Sequence, residues 1–126
     1  IQVGLRGVGS ARAADVDDAR AAGNLLVTAR ELDERGVARV LEQVPADASV
    51  FLAFDCDGLD PSVFPAVSAQ APGGLSYAQA IERGPVGIRS RLVGAVFTEF
   101  VPALDVGDIS ALVVTRLVTG LLQPPV

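Results

Sequence analysis

Apolar and polar positions along this chain follow two rhythms in turn, short apolar runs that suit strands and three-to-four-residue spacings that suit helices. Ile1 to Leu5 is the first strand candidate, and the turn Gly7-Val8-Gly9-Ser10 leads into an Ala-rich helix from about Ala11 to Ala22, stopped by Gly23-Asn24. Leu25 to Thr28 is a short apolar segment. Thr28 and Glu31 have the spacing of a capping box, which starts a second helix. Its apolar positions Val37, Val40, Leu41 and Val44 recur at helical intervals, and Pro45 closes it. Val50 to Phe54 is expected to form a central buried strand. From Asp57 to Gly74 no period survives, and Pro61, Pro65 and Pro72 forbid a regular helix or internal strand. Ser76 can cap a short helix running to about Arg83, Gly84-Pro85 breaks it, and Val86 to Arg91 follows neither rhythm. Leu92 to Phe97 is the last strand, carrying Thr98, Glu99 and Phe100 at its end. Asp108 is expected to cap a final helix whose apolar stripe is Ile109, Val113, Leu117 and Leu121, and Pro124-Pro125 cannot extend it.

Alternating strands and helices predict an α/β protein with three α-β-α layers and a mostly parallel sheet. No linker, repeat or charge block divides the chain, so residues 1–126 read as part of one domain. With 126 residues, half of them apolar, there is material for a modest core. No uninterrupted apolar run approaches the roughly 20 residues that span a bilayer, so no membrane association is expected. With no secretory leader at the start, a cytoplasmic location is the default. The chain has no Met and opens on a strand already under way, so it is expected to be cut from something longer.

The net charge of −5 provides no basic stripe, which argues against nucleic acid as a partner. One Cys allows no internal disulfide, and with no His present a Cys/His zinc site is excluded. Any metal held by this chain alone has oxygen ligands.

Chemistry is concentrated in Asp55-Cys56-Asp57-Gly58-Leu59-Asp60-Pro61, which follows the apolar run directly. Acids gathered at the end of a buried strand cost free energy unless a cation or strong donors compensate, so the run reads as a metal site. Alternation along a strand puts Asp55 and Asp57 on one side and Cys56 on the other. Open α/β sheets place ligands past the carboxyl ends of their strands, where these acids fall. The plainer alternative is that the acids cap turns or neighbouring helices. An EF-hand loop does not fit, because its glycine is the sixth residue and Gly58 is the fourth from Asp55. An Asp-nucleophile phosphatase fits only in outline, with Leu59 where Thr or Val is usual.

These residues resemble the ureohydrolases, the arginase and agmatinase family with an arginase/deacetylase-like fold. The resemblance spans essentially the whole chain as the carboxyl-terminal part of a single ureohydrolase domain, incomplete by itself. It rests on Phe54 to Pro61, Pro65-Ala66, Pro72-Gly73-Gly74-Leu75-Ser76, and Val93-Gly94 leading to Glu99 and Pro102. The opening Gly4 to Arg12 is similar to agmatinase-like members, while Asp57-Gly58-Leu59-Asp60-Pro61-Ser62 also resembles arginases.

The resemblance implies hydrolysis of a guanidino or amidino C–N bond with release of urea, dependent on two Mn²⁺ ions that share a water-derived nucleophile. Asp55 matches the acid that bridges both ions, Asp57 an acid bound to one of them, and Asp60 an acid that shapes the loop. Glu99 matches the carboxylate that pairs with the substrate's guanidinium. The implied partners are a small guanidino substrate and further copies of the protein, as a trimer or hexamer. The family's two His and further Asp ligands lie in a preceding half. A catalytically inactive, partner-dependent module is therefore the alternative for the chain as it stands. Ala53 and Cys56 replace the usual Ser or Thr and aliphatic residue, both small changes. Cys56 is expected to pack, with no His to activate it. Tyr77 is expected to pack, and Arg89 and Arg91 to be solvated or to meet another subunit.

Overall fold

The computed structural model describes residues 1–7, 11–83, 88 and 91–123. Val8 to Ser10 of the expected first turn, the Gly84-Pro85 break, Arg89 and Pro124-Pro125 lie outside these. Strand β1 (Gln2–Leu5) is followed by helix α1 (Ala13–Ala21) and strand β2 (Leu26–Thr28), which returns parallel to β1. Helices α2 (Ala29–Arg35) and α3 (Val37–Leu41) lead to strand β3 (Val50–Asp55). After the long loop and a π-type turn at Ala78–Arg83, strand β4 (Leu92–Thr98) pairs parallel with β3, and helix α4 (Ile109–Leu122) follows. Both strand pairs are parallel, as an alternating α/β chain requires.

The Thr28–Glu31 capping box forms, with Thr28 N–H and hydroxyl donating to the Glu31 carboxylate at 2.9 Å and Glu31 N–H donating to Thr28 Oγ1 at 3.1 Å. The helix it starts is not continuous to Pro45. Gly36, at φ +81° and ψ 157°, breaks it into α2 and α3, because no helical turn accommodates that backbone. Leu32 and Val37 still bury their side chains on either side of the break. Ser76 opens its helical segment through reciprocal bonds with Gln79, but the segment winds as a π turn and not as α-helix.

The core lies on one side of β3 and β4. Leu59, Phe64 and Val67 from the long loop pack there against Val113 and Leu117 of α4, with Cys56 among them. Each such apolar side chain contributes about 1.5–3 kcal/mol. Phe64 and Phe100 meet edge to face at 5.5 Å, and Phe54 and Phe97 stack across the strands at 5.6 Å. β3 was expected to be buried throughout, yet it alternates: Phe51 is 64 % and Val93 on β4 is 67 % exposed. Gly94 leaves room for the Phe51 ring, which a Cβ there would meet at 2.9 Å.

Helix α4 differs from expectation in its cap and its stripe. Asp108 has a left-handed backbone (φ +59°) and makes no side-chain cap bond. Asp105 caps instead, accepting from Val106 N–H at 2.9 Å, Ser110 N–H at 3.0 Å and Ala111 N–H at 2.9 Å. The buried stripe is Ser110, Val113, Leu117 and Leu121, while Ile109 is 43 % exposed. The mixture of three- and four-residue steps keeps to one face, whereas four-residue steps alone drift around the helix. Ser110 is tolerated in the core because its hydroxyl accepts Ala66 N–H at 3.2 Å. No helix among the described residues is long and apolar enough to cross a membrane.

Candidate functional site

Strand β3 ends at Asp55, and the chain then makes one 3₁₀ turn, Cys56–Gly58, closed by Leu59 N–H donating to the Cys56 carbonyl at 3.2 Å. The turn sends Cys56 into the core and leaves Asp55 exposed and Asp57 half-buried. Strand alternation was expected to put the two acids on one side; the strand instead ends at Asp55, and a 3₁₀ turn carries Asp57. Burial raises the Asp57 pKa above the ordinary value, the neighbouring Asp55 charge raises it further, and the Arg6 charge acts against both. Two carboxylates two residues apart, the charge of one opposing ionisation of the other, suit a hard cation with oxygen ligands.

Glu99 follows β4 immediately, one residue beyond Thr98, which is the register partner of Asp55. Neighbouring strands are about 4.8 Å apart, so Glu99 emerges beside the acid pair. Its backbone is left-handed at φ +62°, a conformation that costs a non-glycine residue about 1–2 kcal/mol. The charges of Asp55, Asp57 and Glu99 all act on the Cys56 thiol. Burial first, then those charges, pushes that thiol up to about 11. Cys56 is thus a neutral packing residue at physiological pH, as its lack of a His partner implied.

The loop from Asp57 to Gly74 has no regular structure but is tied at several points. Leu59 and Leu75 form a parallel bridge, with Asp60 N–H donating to Leu75 O and Leu75 N–H to Gly58 O, both at 3.0 Å. Asp60 accepts from Ser62 N–H at 3.0 Å, Ser62 hydroxyl at 2.5 Å and Gly73 N–H at 2.8 Å, which draws its pKa down to about 2. Its side chain thus joins the two ends of the loop. Gly73 supplies the positive φ expected of a tight turn, but Gly74 is needed for space: a Cβ there would lie 2.5 Å from the Leu59 carbonyl carbon. Arg6, at the end of β1, donates to the carbonyls of Asp57 (2.5 Å), Gly58 (3.4 Å), Leu59 (3.3 Å) and Ala71 (2.8 and 3.1 Å).

Arg6 was not singled out as a site residue by its sequence position. A charged residue directly after a strand was the available signal, but its targets are carbonyls of a remote loop, which no side-chain pattern reveals. Arg91, expected to be solvated or at a subunit contact, donates to the carbonyls of Val44 at 3.3 Å and Pro45, tying β4 to the segment after α3. Tyr77 packs against the core, as expected, and accepts a bond from Arg116 at 2.9 Å.

A cavity of about 470 Å³ separates β1 from β3. Val3, Leu5, Leu32, Val37, Leu52 and Phe54 line it, and Asp55 stands at its edge. Its lining is apolar, so it suits a packed polypeptide segment better than a guanidinium. Among the described residues no group of three or more Asp, Glu or Cys side chains is placed to hold a metal ion. Asp55 and Asp57 can therefore supply two ligands of a larger set.

The model of the arginase family matches residues 1–123. The chain is 34 % identical over 105 residues to an agmatinase of Salmonella paratyphi B and 33 % identical over 104 residues to an arginase of Brevibacillus brevis. Those alignments cover 79 % and 78 % of this chain but 34 % and 35 % of the relatives, so the chain spans about a third of their length. The solved proclavaminate amidino hydrolase from Streptomyces clavuligerus superposes with a TM-score of 0.82 at 30 % identity, over 96 % of this chain and 40 % of that one. The α/β class with parallel strands is the fold of these structures.

Proposed function

As this chain belongs to the arginase family, we propose that it is the carboxyl-terminal part of a single ureohydrolase domain, contributing one edge of the active site to a longer protein. The reaction is hydrolysis of a guanidino or amidino C–N bond: water adds its oxygen to the carbon, the amine leaves with a proton, and urea is released. Agmatinase-like chemistry is the first choice and arginase the second. The observation that carries this reading is the placement of Asp55 and Asp57 at the end of β3, with Glu99 just past the end of the paired strand β4 on a strained backbone.

Asp55 and Asp57 would hold Mn²⁺, with the remaining ligands drawn from the rest of the protein. Bound manganese supplies Lewis acidity and lowers the pKa of water, providing a nucleophile at neutral pH. Glu99 would accept hydrogen bonds from the substrate's cationic guanidinium and fix its plane over the acid pair. Glu99 is exposed directly after β4, one residue past the register partner of Asp55, which leaves its carboxylate open to a cation. A small guanidino substrate, a homo-oligomeric trimer or hexamer, and a cytoplasmic location complete the proposal.

A second reading, that the chain alone is an inactive module dependent on another polypeptide, is favoured by the apolar cavity. β1 pairs only with β2, and β3 only with β4, among the described residues. The cavity lies between their free edges, where a segment of the longer protein would join the two sheets.

Urea release from agmatine and from arginine with Mn²⁺, measured for this chain and its full-length parent, tests both readings. Activity in the parent alone is the expected result, and the better substrate decides between agmatinase and arginase. No release from the parent would leave a family member that has kept only the fold. Asp55→Asn in the parent is expected to lose binuclear manganese and urea release together. Unchanged metal stoichiometry would remove Asp55 from the site.

A further inference from the structure

We propose that Arg6 is a positioning residue for the candidate metal pair, its guanidinium clamping the Asp57 to Leu59 turn and the far side of the long loop onto the end of β1. The inference rests on the metal reading of Asp55 and Asp57. It stands on where the donors of Arg6 go.

A guanidinium offers five N–H donors in a rigid plane and accepts nothing. Here Nη2 donates to the Asp57, Leu59 and Ala71 carbonyls, Nη1 to Gly58 and, at 3.5 Å, Gly4, and Nε to Ala71. One side chain therefore holds three segments: its own strand, the turn that carries Asp57, and residue 71 near the end of the loop. One of these bonds is to the carbonyl of Asp57 itself, so Arg6 fixes the backbone from which a candidate ligand projects.

The packing around the clamp is as close as the bonding. A Cβ on Gly4 would meet Leu75 Cδ1 at 2.4 Å and stand 4.0 Å from the Gly58 carbonyl, so β1 approaches the Leu59–Leu75 bridge with no side chain between them. Gly4 is buried at φ +86°, which a glycine adopts without strain. Asp60 closes the loop on itself, whereas Arg6 ties that closed loop to the sheet. Carboxylates must be held within a few tenths of an ångström to bind a metal well, and a turn free to shift against β3 would lose that precision.

Lys at position 6 keeps the charge but offers one nitrogen, which cannot reach carbonyls on three segments in one plane. In the full-length parent, Arg6→Lys is expected to weaken manganese binding at least tenfold. Its electron paramagnetic resonance is expected to change from a spin-coupled pair to an isolated ion, while metal-free thermal stability stays close to that of a Ser62→Ala control in the same loop. Manganese affinity within twofold of wild type with the coupled signal intact would overturn the proposal, as would a loss of affinity fully matched by loss of stability.

Amide hydrogen exchange on the wild-type parent provides a test that needs no variant. A clamped turn keeps the Leu59 amide, which closes it on the Cys56 carbonyl, protected before any metal is added. Free exchange there until Mn²⁺ binds would overturn the proposal. A parent that takes up no manganese would end the metal reading, while its exchange pattern would still report on the clamp.

Discussion

Asp60 shows how far one side chain is committed to local geometry. Its carboxylate, drawn from the ordinary 3.8 to about 2 by bonds from Ser62 and Gly73, favours the closed loop whenever it is ionised. A depressed folded-state pKa contributes stability that is fully present above the ordinary value and lost as pH falls through the folded value. Protection of the Gly73 amide from exchange is therefore expected to decline between about pH 4 and pH 2, and Asp60→Asn is expected to remove that dependence. Protection that is flat across this range in the wild type would refute the assignment. Asp55 and Asp57 stood out in the sequence as acids directly after an apolar strand, a pattern that turn capping also produces, whereas Glu99 was singled out only by the family resemblance. The left-handed backbone of Glu99 was not legible, since nothing in Thr98-Glu99-Phe100 demands a positive φ.

At the level of single elements, the caps separate what sequence reveals from what it hides. Thr28 and Glu31 announced their box because both partners are local and correctly spaced. Asp108 was the natural cap for α4 by position, yet Asp105 reaches back across Val106 and Gly107 to take that role. Both acids are near the start of α4 in sequence, but only Asp105 accepts from its first N–H groups. Asp105→Ala is expected to cost about 0.5–2 kcal/mol by thermal or urea unfolding of the parent. Asp108→Gly should be neutral or stabilising by up to about 1 kcal/mol, because it relieves a left-handed backbone. The reverse order of effects would restore Asp108 as the cap. The Gly36 break escaped notice for a related reason: one glycine inside a helical pattern costs only about 1 kcal/mol, so the apolar period around it masks the interruption.

At the level of the whole molecule, the α/β class and parallel pairing were readable from alternating periods, but the separation into two strand pairs was not. Pairing between strands depends on which edges meet, and hydrophobic pattern is silent on that. Phe51 and Val93 remain exposed, and β1 and β3 both line an apolar cavity. The isolated 126-residue chain is accordingly expected to aggregate or to melt without a sharp transition, as checked by light scattering and calorimetry. A cooperative transition from a monomer would contradict this. The parallel closure of β3 on β4 also has a bearing on time. Asp55 and Thr98 come into register only after the long loop and the π-type turn between them have been gathered in, and the entropy of that closure must be met before any contact across the strands repays it. Glu99 is therefore expected to join the side of Asp55 and Asp57 only once that closure is made, and a chain collapsed short of it would hold the acids of β3 without their partner beyond β4.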